Sequence, residues 1–293
     1  MIVLWRHLNK NPKTQMERVE NKLQCLCGSR SLTTIFTYNS PPKDEIRFDF
    51  SSSGQYKREV LRCDDCGHFI SVHNMNDSAL YSGDYTNSNY GEEEMMNIFN
   101  RIISLDPAES DNTSRVQRVL DYATSHFHES SLNGGYPSIL DVGSGLCVFL
   151  YSMKKAKWDC TAIDSDPRSI KHAIEVVGVK GVCGNFLALN ELGKFNVITF
   201  NKVLEHVKSP VEMLTKAGNY LDSNGFIYIE VPDGEAAVKE GSEREEFTID
   251  HPHVYSAASL SLLIYRSGLV LQRIERLREP SSKYTLRAFL TVI

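Results

Sequence analysis

From Ser138 onward, short apolar runs alternate with amphipathic stretches. Ser138–Val142, Asp159–Ile163, Val179–Cys183, Phe195–Phe200 and Phe226–Val231 read as strands, the last stopped by Pro232. Between them, Cys147–Lys155, a segment from Pro167 to about Val177, and Pro210–Leu221 read as helices. Pro167 suits the first helical turn, where its missing N–H would have no partner in any case. Ser259–Ser267 is a further helix closed by Gly268, and Leu269–Leu277 with Tyr284–Val292 reads as a terminal hairpin. Repeated strand–helix units with an antiparallel ending predict an α/β fold, a doubly wound, mostly parallel sheet with helices on both faces. Upstream, Arg115–His128 places Val116, Val119, Leu120, Ala123 and Phe127 on one helical face, with Thr113 or Ser114 as N-cap. Residues 1 to about 90 carry short strands and turn signals instead. The expected organisation is therefore a small domain over 1–90, a helical connector over 91–135 and the α/β core over 136–293. The charge-dense stretch Glu235–Glu246 reads as a loop over the strand ends.

Composition narrows the class. The 293 residues are 41% hydrophobic and 24% charged with a net charge of −5, as in ordinary globular proteins. The acidic balance and lack of basic blocks argue against nucleic acid. No run approaches the roughly 20 apolar residues of a membrane span, and Arg6 and His7 interrupt the apolar start, so the expected location is the cytoplasm, away from membranes. Four of the seven cysteines stand early, in Cys25-Leu26-Cys27-Gly28 and Cys63-Asp64-Asp65-Cys66-Gly67. In a reducing compartment such pairs favour metal over disulfides. Four thiolates suit tetrahedral zinc with no open position, hence a structural ion, and the glycines let backbone amides turn towards sulfur. His68 and His73 are reserve ligands, while Cys147, Cys160 and Cys183 read as buried small hydrophobes.

The richest chemistry begins at Ile139-Leu140-Asp141-Val142-Gly143-Ser144-Gly145, a strand running into a tight glycine turn. The Asp141 carboxylate would repel a pyrophosphate and suits a cationic ligand such as S-adenosylmethionine, which carries a sulfonium and an ammonium. Asp164, with Ser165 beside it, closes the next strand where a carboxylate accepts ribose hydroxyls. Asn185 suits an adenine edge and Phe186 its face, and Asn201 opens the turn after the fourth strand.

Ile139–Cys147, Ala162–Asp166, Gly184-Asn185-Phe186 and Phe195–Pro210 resemble successive motifs of the class I S-adenosylmethionine-dependent methyltransferases. The resemblance spans about 138–293 and implies a Rossmann-like seven-stranded sheet. It also implies that Asp141, Gly143, Ser144 and Gly145 hold the methionine end, Asp164 the ribose and Asn185 the adenine. Cys147 stands where a third glycine is usual, and Asn185 replaces a commoner aspartate.

Methyl transfer needs an aligned nucleophile and an acceptor for its proton, a task suited to histidine. Glu205-His206 lies in a Leu204-Glu205-His206-Val207 segment like those of ubiquinone-pathway O-methyltransferases, where acids work through a metal. Lys202 stands near the place of one such acid, which speaks against a metal here. Glu205 and His206 suit either catalysis or loop-organising hydrogen bonds. Asp250-His251-Pro252-His253 is similar to the H-E-H segment of sugar C-methyltransferases. An extended backbone sends His251 and His253 to opposite sides, and His253 is the favoured base. Tyr81 and Tyr85 suit substrate binding or interdomain packing. Cysteine module, tyrosine segment and core together resemble zinc-containing bacterial sugar methyltransferases. That resemblance implies a small-molecule acceptor such as a nucleotide-linked sugar or surface-polysaccharide precursor, methylated on carbon or oxygen. A protein substrate, N-methylation of another metabolite, and cofactor binding without catalysis remain alternatives.

Overall fold

The computed structural model describes residues 23–43, 45, 56–74, 92–127 and 136–292. Three antiparallel strands come first, β1 (Leu32–Tyr38), β2 (Arg58–Cys63) and β3 (Phe69–His73), then helices α1 (Glu92–Ile103) and α2 (Asp111–His126). The alternating region follows: β4 (Ser138–Val142), α3 (Val148–Lys155), β5 (Asp159–Asp164), α4 (Pro167–His172), β6 (Lys180–Cys183), β7 (Phe195–Asn201), α5 (Pro210–Tyr220) and β8 (Leu221–Pro232). After it come α6 (Gly234–Ala237), β9 (His253–Val254), α7 (Ala257–Arg266), β10 (Leu269–Arg278) and β11 (Tyr284–Val292). Among the described residues no helix is long and apolar enough to cross a membrane.

Seven strands form one sheet in the order β10-β11-β8-β7-β4-β5-β6. The pairs from β8 to β6 are parallel, and β11 is antiparallel to both neighbours. Strand order reverses between β4 and β7, which opens a crevice at their carboxyl ends. Neighbouring residues of each central strand serve opposite cores, so both must be apolar. Leu140, Ile198, Ile227 and Leu290 pack on one side with α5 and α7. Ile139, Val197, Phe226 and Phe289 pack on the other with α2 and α3.

The helix boundaries follow local capping. Ser110, rather than Thr113 or Ser114, caps α2: its Oγ accepts from the Thr113 amide at 3.3 Å, so the helix starts before its apolar stripe does. The segment from Pro167 is regular to His172 and then widens into a π turn over Ala173–Val177, closed by Gly178. Ser256 and Ser259 form a reciprocal capping box at α7.

The boundary expected between 1–90 and the core is crossed by the chain itself. β1, β2 and β3 form a four-stranded sheet whose last strand is β9, with Phe69 opposite Val254 and Ile70 opposite His253. Arg58, fully buried in this sheet, pairs with Glu45 at 2.7 Å and donates to the Phe247 carbonyl at 2.6 Å. Glu235–Glu246 is folded into short helical turns, tied by Arg244 to Glu240, Glu246 and the Ser282 carbonyl.

A buried ionic network joins α2 to the sheet. Glu230 accepts from Arg115 at 2.6 Å, from Arg287 at 2.8 Å and from the Tyr228 hydroxyl at 2.6 Å, and Arg287 also pairs with Glu279 at 3.0 Å. Burial alone would raise the Glu230 carboxyl, but the two guanidiniums overcome it and hold it at about 2. The folded value lies below the unfolded one, so this stabilisation is present above the ordinary glutamate range and is lost as pH falls through about 2. Glu230→Gln keeps the volume but takes the carboxylate from Arg115 and leaves Arg287 with Glu279 alone, which should cost about 3–5 kcal/mol in urea unfolding. A loss under about 1 kcal/mol, the range of exposed pairs, would show that the network does not support the fold.

Candidate active site

The glycine turn sits at the crevice between β4 and β7. Gly143 and Gly145 adopt φ of +71° and +49°, and Cys147 follows them into the left-handed region at +59°. A Cβ on Gly143 would lie 2.7 Å from Val203 Cγ2, so glycine there serves both the turn and the approach of the loop after β7. Gly145 meets nothing within 4 Å, and its backbone N–H donates to Asp164 Oδ2 at 2.8 Å. The Asp164 carboxylate therefore spans from the glycine turn to the Asp166 amide, 2.9 Å from Oδ1. Burial raises its pKa against these bonds.

Asp141 is buried, accepting from the Thr199 hydroxyl at 2.6 Å and from Asn201 Nδ2 at 2.8 Å. Desolvation pushes it up to about 6, although those bonds favour the charged form. Three polar atoms near these strand ends, Ser144 Oγ, Asn201 Oδ1 and Glu205 Oε2, are buried with no partner among the described residues. Buried polar atoms are seldom left unpaired, and such a group points to a polar ligand. Asn185 is exposed after β6, its Oδ1 accepting from the Leu187 amide at 2.9 Å, and Ser165 is exposed beside Asp164. Phe186 sits in the core, edge-on to Phe200 and Tyr220, rather than offering a free face for stacking. Tyr81 and Tyr85 lie outside the described residues.

A cavity of about 390 Å³ opens over the loop after β7, lined by Lys202, Glu205, His206, Glu246, Asp250 and His251 among others. His206 Nδ1 donates to the Asp250 carbonyl at 2.9 Å, and His251 Nδ1 to the Glu246 carbonyl at 2.9 Å. These bonds orient both rings, 4.7 Å apart, and fix which nitrogen of each carries the proton. Burial lowers the pKa of His251 against the pull of Asp250 and so favours the neutral ring, whose second nitrogen keeps a lone pair. Glu205, His206 and His251 bring metal-ligand atoms within 4.8 Å of one another. Lys202 supplies a cation in the same cavity: its Nζ donates to Thr285 Oγ1 at 2.6 Å, and burial lowers its pKa against Glu230 and Glu205.

The H-P-H segment divides as alternation predicts, but it is His251 that lines the cavity. His253 turns the other way. Its Nδ1 lies 3.0 Å from His68 Nε2, and its ring also hydrogen-bonds the Lys208 backbone. Burial lowers it to about 4, so it is neutral and fully engaged. His68, read from sequence only as a reserve metal ligand, thus meets the segment expected to do chemistry. A two-residue strand contact leaves no periodic signal by which to find it.

The four cysteines converge: Cys25 and Cys66 sulfurs are 3.4 Å apart, and Cys27 and Cys63 sulfurs 3.6 Å. Sulfurs around tetrahedral zinc at 2.3 Å stand about 3.8 Å apart. Gly28 and Gly67 have φ of +91° and +71° and turn amides inward, with Ser29 N–H 3.5 Å from Cys27 Sγ.

Comparison with known proteins adds a family. Residues 94–274 match the family described as "Methyltransferase domain". No curated protein matches the sequence. Among solved structures, an S-adenosylmethionine-dependent methyltransferase from Clostridium acetobutylicum superposes with a TM-score of 0.50 at 10% identity, over 68% of this chain and 98% of that one. The glycopeptide N-methyltransferase MtfA bound to sinefungin gives 0.47 at 13% identity, over 61% and 86% of the two chains. A Methanosarcina mazei S-adenosylmethionine-dependent methyltransferase gives 0.47 at 14% identity, over 59% and 97%. At such identities the likeness concerns the fold.

Gly143→Ala should destabilise the protein by at least about 1–2 kcal/mol from left-handed backbone alone, and Val203→Ala added to it should recover only the steric excess. Equal stability of the wild-type protein and the single variant in urea unfolding would remove the close-approach requirement.

Proposed function

We propose that this chain, which belongs to the methyltransferase domain family, transfers the methyl group of S-adenosylmethionine to a small acceptor in the cavity over Lys202. The observation that carries this reading is the pair of buried, unpartnered oxygens of Ser144, in the glycine turn, and Asn201, which donates to Asp141, at the strand ends that carry the Asp141 and Asp164 carboxylates. An acidic, oxygen-rich crevice at the reversal of strand order suits a cationic nucleoside and repels a dinucleotide. Asp141 with the Gly143–Gly145 turn would hold the methionine end, Asp164 and Ser165 the ribose, and Asn185 the adenine edge. Phe186 supports that wall from beneath.

S-Adenosylmethionine supplies an electrophilic methyl carbon on sulfonium. The protein orients the acceptor and removes one proton. His251 is our candidate for that proton, because its Nδ1 is tied to the Glu246 carbonyl and its ring borders the cavity. Glu205 and His206 bind and orient beside it, and the Lys202 ammonium stabilises negative charge developing on the acceptor. Hydrogen-bonding groups of both signs favour a hydroxyl-rich acceptor. A nucleotide-linked sugar is the class we favour, because the cysteine motifs, the tyrosine segment and the core motifs of the sequence resemble those of zinc-containing sugar methyltransferases. Cys25, Cys27, Cys63 and Cys66 fit a structural zinc, four thiols at nearly the required spacing with no position left open.

Two measurements test this. In calorimetry, Asp164→Ala should abolish S-adenosylmethionine binding while leaving the protein folded. With the native chain, affinity should fall as pH drops below about 6, where Asp141 takes up a proton and loses its attraction for the cation. The raised value has the opposite sign for stability, favouring the fold at acid pH and losing that contribution as pH rises through about 6. Undiminished binding by the variant, or affinity flat from pH 5 to 7, would sink the assignment. Separately, His251→Gln should slow methylation of a nucleotide sugar by about 10²–10⁴-fold, the usual worth of a general base, with cofactor affinity spared. A mass-shift screen of nucleotide sugars with the wild-type protein supplies the assay. Full activity of the variant would move the base elsewhere.

A further inference from the structure

The cysteine module reaches the cavity loops by one hydrogen-bonded line. His68 is fully buried just after the second knuckle, and its backbone is part of that knuckle. Its carbonyl accepts from the Cys63 amide at 2.8 Å, and its own amide hydrogen-bonds the Cys66 sulfur. Its ring Nδ1 lies 3.2 Å from Ser259 Oγ at the start of α7, and its Nε2 lies 3.0 Å from His253 Nδ1. His253 continues the line to the Lys208 backbone, and its own amide reaches the Glu205 carbonyl at 3.4 Å. The edge of Tyr255 packs on His68 with ring centres 5.0 Å apart, and its hydroxyl donates to the Leu204 carbonyl at 3.0 Å.

Three of the cavity side chains given a chemical role, Glu205, His206 and His251, are carried by segments that hang on this line. The 203–208 turn carries Glu205 and His206, and the 250–256 segment carries His251. Among the described residues no hydrogen bond joins Asp141 or Asp164 to it, and the glycine turn meets it only where Gly143 packs against Val203. A purely structural zinc module would need no buried imidazole aimed at the opposite segment, since apolar packing would close the seam at lower desolvation cost. A directional donor instead fixes one side-chain orientation in the partner segment.

We propose that His68 is a positioning residue, by which the cysteine module holds the acceptor-side loops in register without itself touching the residues proposed to hold the cofactor. It rests on the reading of the cavity as the acceptor site, but its test does not require turnover. Hydrogen exchange of the full chain is compared for wild type, His68→Phe and His68→Gln, and for wild type stripped of metal by a chelator and then given zinc. We expect His68→Phe to raise exchange in 203–208 and 250–256 by about ten-fold, the worth of one buried hydrogen bond, with β4 and β5 unchanged. His68→Gln, which keeps a donor, should fall between. Chelation should reproduce the His68→Phe pattern, and zinc should reverse it in wild type while leaving the variant's loops open. In ¹⁵N spectra, His253 Nδ1 should lose its hydrogen-bonded shift in His68→Phe. Calorimetric affinity for S-adenosylmethionine should stay within about two-fold, since none of its proposed contacts changes. Unchanged exchange in both loops would overturn the proposal, as would an equal rise in β4 and β5, which would mean general loosening. Should His68→Phe fail to fold, His68→Gln and the chelated wild type carry the same two outcomes. Absence of cofactor binding in every sample would strike the functional reading alone, because the exchange pattern stands without it.

Discussion

The loops leaving two adjacent parallel strands must share one point in space, and the structure depends on how that is managed. At Gly143 the chain turns with positive φ and leaves only enough room for Val203 to sit against it. That contact sets the height of the loop after β7. Lys202, just before Val203, is left-handed at φ +59° with its ammonium directed to Thr285, and Glu205 and His206 then come round to the cavity. The same turn brings the Gly145 amide onto Asp164, so one backbone feature sets both the Asp164 carboxylate and the loop after β7.

Charge is buried in two distinct ways around this point. The Arg115–Glu230–Arg287 network is closed: each charge has a partner, and the Glu230 carboxylate stays ionised. Asp141 is hydrogen-bonded only to a hydroxyl and an amide, with Arg115 acting on it at longer range, and burial raises its pKa. The closed network organises packing between α2 and β8. The difference in pKa direction follows from that difference in partners.

The alternating core was legible because its strands are buried on both faces and its helices on one, two patterns that differ in period. Asp141, Gly143, Gly145 and Asp164 were legible because a strand followed by a glycine turn leaves few geometries. The start of β8 was not, since residues 222–225 bulge between the Leu221–Phe195 and Phe226–Val197 pairs, a placement that tertiary context alone supplies. Phe186 carried no sign of whether its ring would face a ligand or the core; packing against Phe200 and Tyr220 decided it. β9 was invisible for a physical reason: two residues cannot show periodicity, and their strand character comes from β3, about 180 residues away.

That short strand also explains a proline between two histidines. Pro252 has no N–H, so it cannot carry a ladder forward, but its carbonyl still accepts from the Ser71 amide at 3.1 Å. The next residue, His253, sends its amide the other way, to Glu205. The segment is thus held on one side by the cysteine module and on the other by the loop after β7. Alternation then separates the rings. One enters the cavity, its proton fixed by the Glu246 carbonyl; the other enters the seam against His68. A pair that looks in sequence like two candidates for one task is a division of labour, the outer histidine holding the backbone that sets where the inner one points.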